Sequence, residues 1–258
     1  MSRHNTDQEW EKFGKAEPYF GVLADEKYLT TYLDNELKKN FFQTGYDYRD
    51  HVLANIRKHL DSKYTPKQAL DFGCGVGRLV IPLAEVANHV TGIDVSDSML
   101  KEAQRNAEKQ SLRNISFLKS DDELSQLDQK YDFIHSFIVF QHLSPKRGEK
   151  ILKTLISFLK DNGCGVLHFL YAKDYSSQKI ITSVIMPIIK KRIPLARNLI
   201  NVLRGRDWFA PFMEMNHYNL NRLFSIIQKN DIKDMYVEYT NHGGDLGLIL
   251  YFRKDKIT

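Results

Sequence analysis

From Ala69 to Val80 the chain reads Ala-Leu-Asp-Phe-Gly-Cys-Gly-Val-Gly-Arg-Leu-Val, an apolar strand end that passes through the carboxylate of Asp71 into glycines at Gly73, Gly75 and Gly77. Lacking a Cβ, Gly73 and Gly75 let the backbone turn tightly and bring peptide N–H groups against a ligand. A helix starting near Arg78 would aim its positive end at the same turn. Dinucleotide sites space their glycines G-x-G-x-x-G around a pyrophosphate, whereas the spacing here is G-x-G-x-G. Asp71 stands two residues before the first glycine, where it suits an ammonium group and repels a diphosphate. Seventeen residues past Gly77, the strand-like Val90-Thr91-Gly92-Ile93 ends in Asp94, and a carboxylate there can accept hydrogen bonds from two ribose hydroxyls. The implied ligand is a nucleoside carrying an amino-acid group.

A second group with chemistry in it lies farther on, where Tyr131 to Phe140 reads as a strand and its exit, followed by Gln141-His142. A histidine titrating near neutrality is a fitting general base for a hydroxyl or another protonated nucleophile, which makes His142 the catalytic candidate. A histidine entering a helix can equally cap or pack, and the sequence leaves both roles open. His135 lies inside the strand and reads as core.

These residues need a frame, and the chain supplies an alternating one. Strand to Phe72, helix 78–87, strand 89–93, helix 97–110, strand 114–118, strand 131–140, helix 147–160 and strand 165–170 follow in order, which demands a parallel sheet with right-handed crossovers. Ser96 or Asp97 can cap the second helix. Ahead of the first strand, Val52, Leu53, Ile56 and Leu60 follow helical spacing from about Arg49, with Gly45 in the turn before it. Residues 1–60 read as an N-terminal helical extension or cap, its aromatics either a lid over the cleft or packing. Residues 61–258 form the main domain. Its pattern breaks at 172–217, an apolar insertion interrupted by Pro187 and Pro194 and interleaved with basic residues, which reads as short amphipathic helices after strand 5. The last helix, Leu220–Lys229, precedes two strands joined through Gly243-Gly244, a hairpin that forces antiparallel pairing at the sheet edge.

Length and composition set the bounds. With 258 residues, 42% of them hydrophobic and 27% charged, the chain has ordinary globular composition and enough length for one α/β domain with additions. No apolar run approaches the length that crosses a bilayer and the start lacks a secretory apolar segment, so the expected location is the cytoplasm. Cys74 and Cys164 have neither metal-ligand nor disulfide spacing and read as small space-fillers. A net charge of +5 is ordinary surface chemistry more readily than a nucleic-acid footprint.

The Asp71–Arg78 run, the Gly92–Leu100 run Gly-Ile-Asp-Val-Ser-Asp-Ser-Met-Leu, and Ser120-Asp121-Asp122 ahead of Tyr131–Ser136 together make the chain resemble the class I S-adenosylmethionine-dependent methyltransferases from about Phe41 to the C-terminus. The resemblance implies a doubly wound, mostly parallel seven-stranded sheet with an antiparallel edge hairpin, a Rossmann-like methyltransferase fold. It implies S-adenosylmethionine as cofactor, S-adenosylhomocysteine as product, and no metal. It assigns to cofactor binding Asp71, Gly73, Cys74, Gly75 and Gly77, then Asp94 and Val95, Met99 near the adenine, Asp121 on the adenine amino group with Asp122 beside it, Phe137 at the fourth strand's exit, and Gly45 near the methionine end. Tyr46, Gln141, Tyr171, Trp208 and His217 become acceptor-side candidates. Similar enzymes that methylate planar nitrogens carry an Asp/Asn-Pro-Pro-aromatic step after the fourth strand, and this chain has none. The expected acceptor is therefore a small-molecule hydroxyl. The runners-up are a tRNA or rRNA methyltransferase and a non-catalytic cofactor-binding protein. The basic insertion leaves three uses open: a lid, a homodimer surface, or a peripheral membrane contact.

Overall fold

The first strand, β1 (Gln68–Phe72), is buried from its second residue on and pairs in parallel with β2 (His89–Asp94) on one side and β4 (Tyr131–Ser136) on the other. In the computed structural model, which describes residues 6–174, 211 and 213–255, the seven-stranded sheet has the order β3-β2-β1-β4-β5-β7-β6. Here β3 is Ile115–Lys119, β5 is Leu159–Lys173, β6 is Ile232–His242 and β7 is Asp245–Lys254. The order in which successive strands are added reverses between β1 and β4, which run parallel, and the crevice beyond the carboxyl ends at that switch is where open α/β sheets hold ligands.

The hairpin expected from Gly243 and Gly244 is present, both residues at positive φ, with His242 facing Asp245 across the turn. Its return strand β7 inserts between β5 and β6 and is antiparallel to both, so β6 is the edge. The Asp161-Asn162-Gly163 turn lies within the long β5 element, where Asn162 takes φ 61° and the pairing with β4 slips.

Two apolar layers cover the sheet. On one side α6 (Pro145–Phe158) and α7 (Leu220–Gln228) bury Ile151, Leu152, Leu155, Leu223 and Ile227 against Leu70, Phe140, Leu167 and Phe252. On the other, α3 (Asn35–His59) and α4 (Val80–Ala84) bury Val52, Leu53, Ile56 and Val80 against Ala69, Phe133, Val166 and Tyr251. The expected helix at 78–87 is thus a single turn, every residue of it buried.

Gly45 is corrected by the fold. It sits inside α3, which begins at Asn35 because the Asp34 carboxylate accepts from Leu37 N at 2.8 Å. A Cβ on Gly45 would come within 2.1 Å of the Arg78 carbonyl oxygen, so the glycine lets the helix press on the chain just past the glycine turn.

Helices α1 (Thr6–Ala16) and α2 (Pro18–Leu23) pack on α5 (Asp97–Lys109) through Phe13, Tyr19, Val76 and Met99. Ser96 caps α5, its Oγ accepting from Met99 N at 3.1 Å. Glu11 also sits on this end of α5, accepting from Ser96 Oγ and Ser98 Oγ, each at 2.8 Å. Burial opposes its ionisation, but these bonds outweigh it and lower its pKa to about 2. The structure of the 172–217 insertion between residues 175 and 210 lies outside the described residues, as does Trp208.

Candidate functional site

The turn after β1 is tied to β2. Gly73 N and Cys74 N both donate to Ile93 O, at 2.8 and 3.0 Å, and Gly75 N donates to Asp94 Oδ2 at 2.9 Å. The other Asp94 oxygen accepts from Ser96 N at 2.9 Å. Gly73 and Gly75 have φ of 75° and 53°, a region that side chains strain. A Cβ on Gly73 would sit 2.4 Å from Val139 Cγ2, and one on Gly75 would sit 2.7 Å from Val22 Cγ2. Burial raises the Asp94 pKa to about 6, against the lowering effect of its two backbone donors.

This turn forms one wall of a cavity that is open to solvent at its mouth. Of the residues singled out from sequence, Gly73, Gly75, Asp94, Val95, Met99, Asp121, Asp122, Phe137 and His142 line it. Trp10 of α1 and Val22 just past Gly21 close it from the N-terminal side. Ile138 also lines it, with φ 61°. A β-branched residue there is strained, and such strain gathers where backbone must approach a ligand.

The two neighbouring acids divide differently from expectation. Both Asp121 oxygens are taken up by its own turn, accepting from Glu123 N at 3.1 Å, Ser125 N at 2.9 Å and the Ser125 hydroxyl. Those bonds, Ser125 first, lower its pKa. Asp122 instead accepts from Arg147 Nε at 2.6 Å, and the same guanidinium grips Asp7 of α1 with both terminal nitrogens, at 2.8 and 2.9 Å. All three side chains line the cavity.

His142 sits in a 3-10 turn at Phe140–His142, buried, with its ring 4.9 Å from that of Trp10. Its Nδ1 is 2.7 Å from Glu214 O, a carbonyl that can only accept, so Nδ1 carries the hydrogen and Nε2 the lone pair. The segment that supplies Glu214 is itself anchored, Asn216 N donating to Gln141 O at 2.7 Å and Tyr218 N to Leu170 O at 2.8 Å. Burial lowers the His142 pKa to about 4 in spite of its carbonyl partners. The imidazole is therefore neutral at pH 7.

Other expected site residues stand elsewhere. Asp71 does not line the cavity: its Oδ1 lies 2.8 Å from His135 Nδ1, both side chains buried between strands. Cys74 joins the core beneath α3, and Gly77 N closes the turn on Cys74 O at 3.0 Å. The Tyr46 hydroxyl reaches Glu85 at 2.9 Å on the far side of α4. Gln141 is buried with Oε1 unpartnered, Tyr171 stacks edge-on to Tyr239, and His217 pairs with Asp245 at 3.2 Å. None of these four lines the cavity.

Sequence reading missed Arg147 and the pairing of His135 with Asp71. Nothing local marks them, since each acquires its role from residues about 64 to 140 positions away. Among the described residues no cluster of histidine, cysteine, aspartate or glutamate could hold a metal ion, and no helix is long and apolar enough to cross a membrane.

Comparison with known proteins finds likeness over part of the chain. Residues 69–163 match the family described as methyltransferase domain. The ubiquinone biosynthesis O-methyltransferase of Coxiella burnetii is 32% identical over 117 residues, covering 44% of this chain and 49% of that protein. The malonyl-[acyl-carrier protein] O-methyltransferase of Bacillus cereus is 30% identical over 115 residues, covering 44% and 41%. The chain thus spans less than half the length of these curated relatives. Among solved structures, the magnesium protoporphyrin IX methyltransferase of Synechocystis PCC 6803 with bound SAM superposes with a TM-score of 0.61 at 19% identity, covering 99% of this chain and all of that one. The N-methyltransferase NodS of Bradyrhizobium japonicum with bound SAH gives 0.57 at 14% identity, covering 98% and 100%. At these identities the likeness is one of fold.

Proposed function

We propose that this protein transfers the methyl group of S-adenosylmethionine to a small-molecule hydroxyl, a reading supported by the match of residues 69–163 to the family described as methyltransferase domain. The observation that carries the reading is the Asp94 carboxylate. Each of its oxygens already accepts one backbone N–H, from Gly75 and Ser96, which aims the carboxylate and leaves lone pairs for two ribose hydroxyls. The residues present fit the cofactor: Asp94 and the glycine turn share one cavity wall, and a Cβ at Gly73 or Gly75 would close the cradle against Val139 or Val22.

S-adenosylmethionine supplies an electrophilic methyl on a cationic sulfur, so the protein's work is alignment and the exclusion of water. Met99 and Val95 give the adenine an apolar bed, and Asp122, oriented by Arg147, accepts from its amino group in place of Asp121. Trp10 and Val22 cover the cleft against solvent. His142 presents Nε2 as an acceptor beside Trp10, where it already receives a long hydrogen bond from Gln141 Nε2 at 3.3 Å. With a pKa of about 4 it pulls weakly on a free hydroxyl. It takes the proton in the transition state, as the methyl adds and the acceptor oxygen turns cationic, because a protonated ether is a far stronger acid than an imidazolium.

Calorimetry with S-adenosylhomocysteine and label transfer from S-adenosylmethionine test the reading. The expected result is tight uptake of both, label in a small-molecule hydroxyl pool, and a loss of about 10²-fold in turnover for His142→Ala with S-adenosylhomocysteine affinity kept. Label passing mainly to tRNA, with binding that collapses as salt rises, would instead identify a nucleic-acid enzyme. Uptake without turnover of any pool would identify a binding protein.

A further inference from the structure

Arg78, the residue directly after the glycine turn, is only 5% exposed and yet holds no carboxylate. Its one hydrogen bond runs from Nη1 to Thr44 Oγ1 at a long 3.3 Å, and its buried Nε has no partner at all. Tyr48 and Phe137 flank it, each ring centre 5.9 Å from the guanidinium carbon. Asp71 is near enough to act on it electrostatically, but the Asp71 carboxylate is held by His135 at 2.8 Å. No carboxylate among the described residues forms an ion pair with Arg78 within 4.0 Å.

A guanidinium is charged at every physiological pH, and a buried charge without a counter-charge costs stability. Proteins keep such groups where an anion is to be received, and the planar fork of arginine matches a carboxylate better than any other cation does. Phe137 belongs at once to this cluster and to the cavity wall. The guanidinium therefore stands one aromatic ring from the cavity, at the end of the turn whose glycines line it. Resting on the methyl-transfer reading above, we infer that Arg78 is the carboxylate receptor of the site, taking an anion that enters beside Phe137. Two carboxylates reach a site of this chemistry: the methionyl carboxylate of the cofactor, and that of an acidic acceptor molecule.

Arg78→Met and Arg78→Lys, measured against four probes in the full-length protein, separate these. The probes are S-adenosylhomocysteine, 5'-methylthioadenosine, which lacks the amino-acid end, and, on protein saturated with S-adenosylhomocysteine, 3-phenylpropionate and its neutral amide. If the cofactor supplies the anion, Arg78→Met weakens S-adenosylhomocysteine about ten- to hundredfold and leaves 5'-methylthioadenosine within twofold. If the acceptor supplies it, both adenosines keep their affinity and the variant loses the preference for 3-phenylpropionate over the amide. Arg78→Lys, which keeps the charge without the fork, falls between in either case. The methionine variant should unfold at or above the wild-type temperature, because it removes an unpaired buried charge while keeping an apolar stem between the rings. Equal changes in all probes, or none, would overturn the inference. Failure of the wild type to bind either adenosine would refute methyl transfer itself, a distinguishable result.

Discussion

If Asp94 receives the ribose as proposed, its carboxylate should make cofactor affinity depend on pH in a calculable way. Its pKa is raised to about 6 by burial, and only the ionised form offers acceptors to both ribose hydroxyls while keeping its bonds to Gly75 N and Ser96 N. The apparent dissociation constant should therefore scale as one plus ten to the power of pKa minus pH. That is a factor of about 1.1 at pH 7, about 2 at pH 6 and about 11 at pH 5. Binding at pH 6 should also release about half a proton, visible as a dependence of calorimetric heat on the buffer's ionisation enthalpy. S-adenosylhomocysteine is the ligand of choice, since neither end of its amino-acid group titrates between pH 5 and 7. Asp94→Asn should bind about ten- to hundredfold more weakly at pH 7.5, the loss of charge-assisted bonds, and should show no slope from pH 7 to 5. In the protein without ligand the same shift acts on stability with the opposite sign. The folded form binds more protons than the unfolded between about pH 6 and pH 4, so protonation of Asp94 there favours the fold. A flat wild-type profile, or the same slope in Asp94→Asn, would refute the reasoning.

Other expectations follow from the geometry. Gly73→Ala should lower the unfolding temperature and abolish detectable cofactor binding, because the new methyl meets Val139 Cγ2 at 2.4 Å on a backbone with φ 75°; thermal melts and calorimetry on one preparation check both. His168 is fully buried with Nδ1 unpartnered, and burial, then His242 and His142, lower its pKa to about 3. Unfolded protein therefore binds that proton first as pH falls below 6.5, and His168→Gln should keep about 2 kcal/mol that the wild type loses between pH 7 and pH 5, read from denaturant melts. Arg147→Ala frees Asp7 from Asp122, and stopped-flow displacement should show S-adenosylhomocysteine leaving several-fold faster, with the wild-type rate moving toward the variant's as salt rises.

The alternating elements, the glycine turn and the Asp94 strand end were legible in the sequence because each is a local pattern: period, φ-permissive residues, and an acid at a strand terminus. Partners across the sheet were not. Asp71 read as a cofactor ligand since nothing nearby announced His135, which β4 sets directly beside it. Asp121 and Asp122 look alike in sequence, and only the Ser125 turn and the reach of Arg147 tell them apart. Gly45 suggested a loop by type, whereas its small size serves a helix pressed against Arg78. His142 was visible as an imidazole after β4, but its low basicity comes from the burial around it and not from any neighbour in the chain.

The three-way contact of Asp7, Arg147 and Asp122 means that the outset of the chain furnishes a rim for a vessel whose floor is laid down much later. A protein trimmed past Trp10 would keep Val22 over the glycine cradle but lose both the rim and the indole beside His142, so the proposed nucleoside would rest in a half-open bowl. Affinities taken from shortened or bulkily tagged versions would then miss what the first helix adds.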